Sequence, residues 1–125
     1  MIDFTLYLGT TVIFRPNALE LLSSEIKKKD INNVFIITDK GIVSTGLIQR
    51  VRKWLDENGI YSEVYDNVDA NPTIFNVNEA FNLFSKSDSL GIVAIGGGSS
   101  IDTAKAVALL ATNGGKIEDY FGAFK

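Results

Sequence analysis

Residues 91–105 read GIVAIGGGSSIDTAK, and this stretch decides the fold of the 125-residue chain. The apolar run from Gly91 to Ile95 predicts a strand that is covered on both faces, as in a parallel sheet. Three consecutive glycines then break the strand pattern. Small and apolar residues from Ser99 to Thr112 predict a helix after the glycines. The stretch therefore predicts one strand–turn–helix unit.

Two similar units precede it. Strands are predicted at Val34–Ile37 and Ile60–Tyr65. The helices after them carry apolar residues at helical spacing, namely Leu47, Val51 and Leu55 in the first and Val77, Ala80, Phe81 and Phe84 in the second. The beginning of the chain predicts two short strands (Thr5–Leu8, Thr11–Phe14), a turn at Arg15-Pro16-Asn17, and a helix with Leu19, Leu22 and Ile26 on one face.

Alternating strands and helices predict one α/β domain over residues 1–125, with a mostly parallel, Rossmann-like sheet, flanking helices and right-handed crossovers. Ligands of such sheets bind beyond the carboxyl ends of the strands. Three loops should reach that edge: one at Asp39, one at Asn71 and one at Gly96 to Ser99.

Composition excludes several classes of function. The chain has no cysteine and no histidine, which excludes disulfides and zinc–thiolate sites and removes the commonest metal ligand and general base. The formal charge of -3 argues against a nucleic-acid partner. The one basic run, Lys27 to Lys29, lies late in a predicted helix, where cations suit the helix dipole. Neither a membrane-length apolar run nor a secretory signal is visible, so we expect a cytoplasmic protein.

The glycine loop predicts an anion site. The three glycines from Gly96 to Gly98 let the backbone approach a bulky phosphate, and the free amides and positive dipole of the helix start favour it. Ser99 or Ser100 could cap the helix and also donate to a phosphate oxygen. The sequence matches neither a P-loop nor the usual dinucleotide fingerprint, because Ile101 stands where that fingerprint needs glycine or alanine. A tight turn that binds nothing is the alternative.

Three polar residues have two interpretations each. Asp39 could accept hydrogen bonds from ribose hydroxyls and repel a 2′-phosphate, favouring NAD over NADP, or it could cap a helix or turn before Gly41. Asp102 could face the reactive end of a ligand or form an ion pair with Lys105, three residues away. Asn71 could contact a cofactor or cap the following helix.

The residues Gly96-Gly97-Gly98-Ser99-x-x-Asp102-x-x-Lys105 resemble the cofactor motif of the iron-containing (group III) alcohol dehydrogenases. Thr38-Asp39-Lys40-Gly41 and Asp69-x-Asn71-Pro72-Thr73 resemble two further segments of that family, in the same order. The resemblance covers nearly the whole chain. It is nearest to the branch that reduces lactaldehyde or oxidises 1,3-propanediol and other small alcohols.

The resemblance implies NAD as cofactor, a small alcohol or aldehyde as substrate, and a homodimer that pairs through Thr5–Leu8. It implies cofactor contacts at Asp39, Asn71, Gly97, Gly98, Ser99 and Asp102. The family's divalent iron is held by one aspartate and three histidines in a helical second domain, so no catalytic or metal-binding residue is expected in this chain. We therefore expect an amino-terminal portion that is inactive alone.

Two alternatives remain open at this point. The chain could be a stand-alone nucleotide-binding or assembly module without catalysis, which the absence of histidine favours. It could also belong to a sugar-phosphate cyclising synthase or a glycerol dehydrogenase with similar glycine loops.

Overall fold

The computed structural model describes residues 4–7, 11–14 and 19–115, with side chains from Leu22 onward. The elements in chain order are β1 (Phe4–Tyr7), β2 (Thr11–Phe14), α1 (Leu19–Lys28), β3 (Asn33–Ile37), α2 (Lys40–Ser44), α3 (Leu47–Glu57), β4 (Tyr61–Tyr65), α4 (Ile74–Lys86), β5 (Gly91–Ala94) and α5 (Gly98–Asn113).

The central sheet is parallel, as predicted, and has the strand order β4-β3-β5. Ile37 at the end of β3 is aligned with Tyr65 of β4 and with Ala94 of β5. The three carboxyl ends therefore finish at one edge, which brings the loops after them together. β1 and β2 form an antiparallel hairpin, and β2 lies against β5.

Alternation along β3 divides the interior into two layers. Val34 and Ile36 pack with α1 and α3, whereas Phe35 and Ile37 pack with α4 and α5. All four side chains are essentially inaccessible to solvent. Successive side chains of a strand point to opposite faces, so a strand between two helical layers must be apolar throughout. Burying each of these side chains stabilises the fold by roughly 1.5–3 kcal/mol.

The helices agree with the sequence predictions with one correction. Leu22 and Ile26 are buried on α1, and the basic run begins in the last turn of that helix. Between β3 and Leu47 the sequence predicted only that Asp39 could cap a helix or turn, whereas Lys40–Ser44 forms the short helix α2. The turn predicted at Arg15-Pro16-Asn17 lies outside the described residues, as do Leu8 and the side chain of Leu19. Within the described ranges, no helix has both the length and the apolarity to cross a membrane.

Candidate functional site

The three predicted loops meet beyond the carboxyl ends of the strands. They enclose a cavity of about 670 Å³. Its lining comprises Asp39, Lys40, Gly41, Asn67, Val68, Asp69, Ala70, Gly97, Gly98 and Ser99. The loops after β3 and β5 contribute as predicted, and the loop after β4 contributes residues 67–70. The sequence named no contact at six of these residues; Asn67 and Val68 lie outside the recognised motifs, and Lys40, Gly41, Asp69 and Ala70 lie within them.

Asp39 is the cap of α2, as one of its two interpretations predicted. Its backbone is extended, and its Oδ1 accepts a hydrogen bond of 2.8 Å from the amide of Ile42. This bond satisfies one of the free amides at the helix start and fixes the carboxylate. Oδ2 has no hydrogen-bond partner among the described residues, so a carboxylate oxygen is available at the cavity. Capping and ligand binding are thus compatible.

The three glycines have different roles. Gly96 has a φ of 149°, and a Cβ there would lie 2.9 Å from Ser100 Oγ, so the fold itself requires glycine. A Cβ on Gly97 or on Gly98 would meet no atom of the described residues within 4 Å. Packing within the described part of the chain therefore gives no steric reason for glycine at these two positions, and the space above them is open.

The start of α5 presents free amides. Gly97 is the capping residue, and no side chain bonds to the helix start. The first amides of a helix have no partner within the helix, and together with the helix dipole they form a site for anions. This start also lines the cavity, so its amides lie beside the space that a phosphate would occupy.

The predicted capping by Ser99 or Ser100 is wrong. Ser99 Oγ instead donates a 2.5 Å hydrogen bond to the carbonyl of Ala70, which joins the glycine loop to the loop after β4. Ser100 is fully buried, and its Oγ has no hydrogen-bond partner among the described residues. Both hydroxyls are directed by tertiary packing, which local sequence does not encode.

Thr38 holds the ends of the strands together. This residue is buried at the end of β3. Its amide donates to the carbonyl of Tyr65 at 2.8 Å, and its Oγ1 donates to the carbonyl of Ile95 at 2.6 Å. The sequence shows a hydroxyl-bearing residue directly after an apolar strand. The two long-range hydrogen-bond partners of this residue could be identified only in the structure.

Asn76 supports the loop after β4. Its Oδ1 accepts from the amide of Thr73 at 3.1 Å, and its Nδ2 donates to the carbonyl of Asn67 at 3.2 Å. Thr73 Oγ1 in turn accepts from the amide of Asn76, which completes a capping box at the start of α4. The helix is therefore capped by Thr73, and the interpretation of Asn71 as its cap is wrong.

Tyr65 lies beneath the same loop. Its side chain is buried, and its hydroxyl donates a 2.8 Å hydrogen bond to Glu79 Oε1. Burial raises the pKa of Tyr65 well above its usual value, and the hydrogen bond to Glu79 raises that pKa further. The phenol therefore stays neutral and serves as a structural donor at ordinary pH.

Two of the predicted contact residues do not line the cavity. Asn71 is exposed and lies one position beyond the lining residue Ala70. Asp102 is exposed and forms the predicted ion pair with Lys105, at 3.8 Å between Oδ1 and Nζ. Their proposed cofactor contacts stay predictions.

The residues that the structure describes do not fit an iron centre. The full sequence has neither histidine nor cysteine. Over residues 4–7, 11–14 and 19–115, no group of three or more metal-ligating side chains could hold an ion. Hydride transfer assisted by a metal therefore cannot be derived from these residues.

A sheet with helices on both faces and a cavity at its carboxyl edge is the architecture of Rossmann-like α/β domains. The family model for iron-containing alcohol dehydrogenases matches residues 9–125. The chain belongs to the iron-containing alcohol dehydrogenase family.

Individual relatives agree with this assignment. Alcohol dehydrogenase 4 of Saccharomyces cerevisiae (strain YJM789) is 45% identical over 116 residues, which cover 93% of this chain and 30% of that protein. Lactaldehyde reductase of Escherichia coli (strain K12) is 36% identical over 106 residues, covering 85% of this chain and 28% of the relative.

A solved structure supports the fold. NADH-dependent butanol dehydrogenase A of Thermotoga maritima matches with a TM-score of 0.77 and 31% identity, covering 100% of this chain and 32% of that one. The chain thus spans about a third of the length of these relatives. NAD and iron are the cofactors of full-length members of the family.

Proposed function

We propose that residues 1–125 form part of a dinucleotide-binding domain and that NAD occupies the cavity at the carboxyl edge of the sheet. The observation that carries the proposal is the open space above Gly97 and Gly98, at an uncapped helix start that shares one cavity with Asp39. A nucleotide needs donors for its phosphates and an acceptor for its ribose, and an uncapped helix start and a carboxylate in one cavity support this proposal.

Each end of the cavity suits one part of the cofactor. The amides at the start of α5 would bind the pyrophosphate, with Gly97 and Gly98 providing room and Ser99 lining it. The free Oδ2 of Asp39 would accept hydrogen bonds from the ribose hydroxyls. Asn71 and Asp102 would contact the cofactor beyond the cavity.

We further propose that the whole protein is a cytoplasmic alcohol dehydrogenase that transfers hydride between a small alcohol or diol and NAD. The names of the relatives, which include a lactaldehyde reductase and a butanol dehydrogenase, support this class of substrate.

The iron ligands would lie outside this chain. A homodimer would pair through Thr5–Leu8, since β1 is the outer strand of its hairpin. The alternative of a nucleotide-binding module without catalysis is favoured only by the absent metal ligands.

Replacing Gly98 with valine tests the cavity. In Gly98→Val we expect the affinity for NAD to fall at least ten-fold, because the side chain would occupy the pyrophosphate's space. Isothermal titration calorimetry measures the affinity. The stability should fall by less than about 1 kcal/mol, since no atom of the described residues lies within 4 Å of the new Cβ.

Asn82→Val is the matched control. It places the same side chain at an exposed position of α4, away from the cavity, and should leave NAD binding unchanged. Equal NAD affinity in Gly98→Val and the wild type would place the cofactor elsewhere.

A further inference from the structure

An ion pair lies at the rim of the cavity. Lys40 Nζ and Asp66 Oδ1 are 2.8 Å apart. Lys40 is the only basic residue among the described residues that line the cavity, and Asp66 is not part of the lining. The one positive side chain of the site is therefore held by a carboxylate from outside it.

The parallel sheet creates this pairing. Asp39 and Lys40 follow β3, and Asp66 follows β4 directly. Because Ile37 of β3 is aligned with Tyr65 of β4, the residues after the two strands lie side by side. Lys40 is consequently next to the carboxylate proposed to hold the adenosine ribose, where NADP-binding domains place a basic residue for the 2′-phosphate.

The charge balance disfavours a 2′-phosphate. Asp39 and Asp69 both line the cavity, and Lys40 is neutralised by Asp66. A dianionic 2′-phosphate would thus meet carboxylates, with the nearby ammonium already engaged. A ribose with free hydroxyls is uncharged at that position, so its binding needs no cation and is not weakened by the pairing of Lys40 with Asp66.

We propose that Asp66 is a specificity-determining residue: by holding Lys40, it keeps the site selective for NAD over NADP. This inference rests on the proposed NAD site and adds a residue that never touches the cofactor. Lys40 and Asp66 have side-chain exposures of 71% and 31%, so water screens their charges and the effect is modest. Releasing Lys40 should favour a 2′-phosphate by about five-fold, the effect of one charge contact near water.

The test compares 5′-AMP with 2′,5′-ADP, which differ only by the 2′-phosphate. Both are titrated calorimetrically at low salt into the full chain, as wild type, Asp66→Asn and Asp66→Asn with Lys40→Gln. In Asp66→Asn the ratio of the two affinities should shift about five-fold towards 2′,5′-ADP. The added Lys40→Gln should cancel that shift, because the freed ammonium is then gone.

Asp88→Asn is the charge-matched control. Asp88 is an exposed carboxylate before β5, at the opposite end of the sheet, so its removal should leave the ratio unchanged. A shift in Asp88→Asn equal to that in Asp66→Asn would overturn the inference, as would an unchanged ratio in Asp66→Asn while 5′-AMP still binds. Failure of both nucleotides to bind any variant would overturn the proposed NAD site together with the inference.

Discussion

Single residues at this site show why a glycine run has to be interpreted position by position. The sequence predicted a close approach of backbone and phosphate from Gly96 to Gly98. The structure shows that Gly96 is needed for the turn itself, whereas Gly97 and Gly98 leave open space. Local sequence cannot separate these roles, since a Cβ clash depends on atoms that folding brings close.

Ser100 provides a prediction at the same scale. Its buried hydroxyl has no hydrogen-bond partner among the described residues, and an unsatisfied hydroxyl costs free energy. We expect Ser100→Ala to keep or raise the free energy of unfolding, by up to about 1 kcal/mol. Urea denaturation measures this change.

Thr103→Ala is the comparison variant for Ser100→Ala. Thr103 is equally buried, but its Oγ1 donates to the carbonyl of Ser99 at 2.8 Å. This variant should lose about 1 kcal/mol or more. A loss in Ser100→Ala as large as that in Thr103→Ala would show that the Ser100 hydroxyl has a partner in the folded chain.

At the scale of elements, β4 and α4 are joined by polar contacts that the sequence did not reveal. The sequence predicted a strand at Ile60–Tyr65, one residue longer than β4, and a helix with the apolar face that α4 has. It did not predict that Asn76 would bond to the loop at Asn67, or that Tyr65 would bond to Glu79. Periodicity indicates which face of a helix is buried. The hydrogen-bond partner of a buried polar group, however, depends on which loop packs against that group in the folded chain.

Because Tyr65 is buried, the free energy of unfolding depends on pH in the alkaline range. Burial first, and the hydrogen bond to Glu79 second, raise its pKa above the value of an unfolded chain. The neutral phenol therefore stabilises the fold fully below about pH 10, and this contribution is lost as the pH rises further. We expect the wild type to lose roughly 1 kcal/mol more stability between pH 9 and pH 11 than Tyr65→Phe, measured by urea denaturation. Identical losses in the two proteins would show that Tyr65 titrates as it does in the unfolded chain.

Tyr61→Phe serves as the control, because Tyr61 is an exposed tyrosine on the same strand. It removes a tyrosine hydroxyl from β4 without touching the core, and the change in Tyr65→Phe is compared with it.

At the scale of the whole molecule, the cavity proposed to bind NAD is not accompanied by a group of metal-ligating side chains in the part of the chain that the structure describes. The chain has no histidine or cysteine, and no metal-ligating cluster occurs in its described parts. We expect no NADH formation when the purified chain is mixed with NAD, ferrous iron and propanediol, monitored by absorbance at the nicotinamide band. Turnover above the rate without protein would contradict this expectation.

The sequence by itself determined three strand–helix units, their parallel sheet, the edge where the loops meet and the resemblance to the family, but neither α2 nor the strand order. Periodicity, glycine breaks and motifs involve residues that are close together in the sequence, so they can be detected without a structure. Only the tertiary structure decided which atoms meet at that edge. Thr38 and Ile95 are 57 residues apart, Ser99 and Ala70 are 29 apart, and Lys40 and Asp66 are 26 apart. Such pairs form because the parallel strands end in register, and no local pattern specifies them.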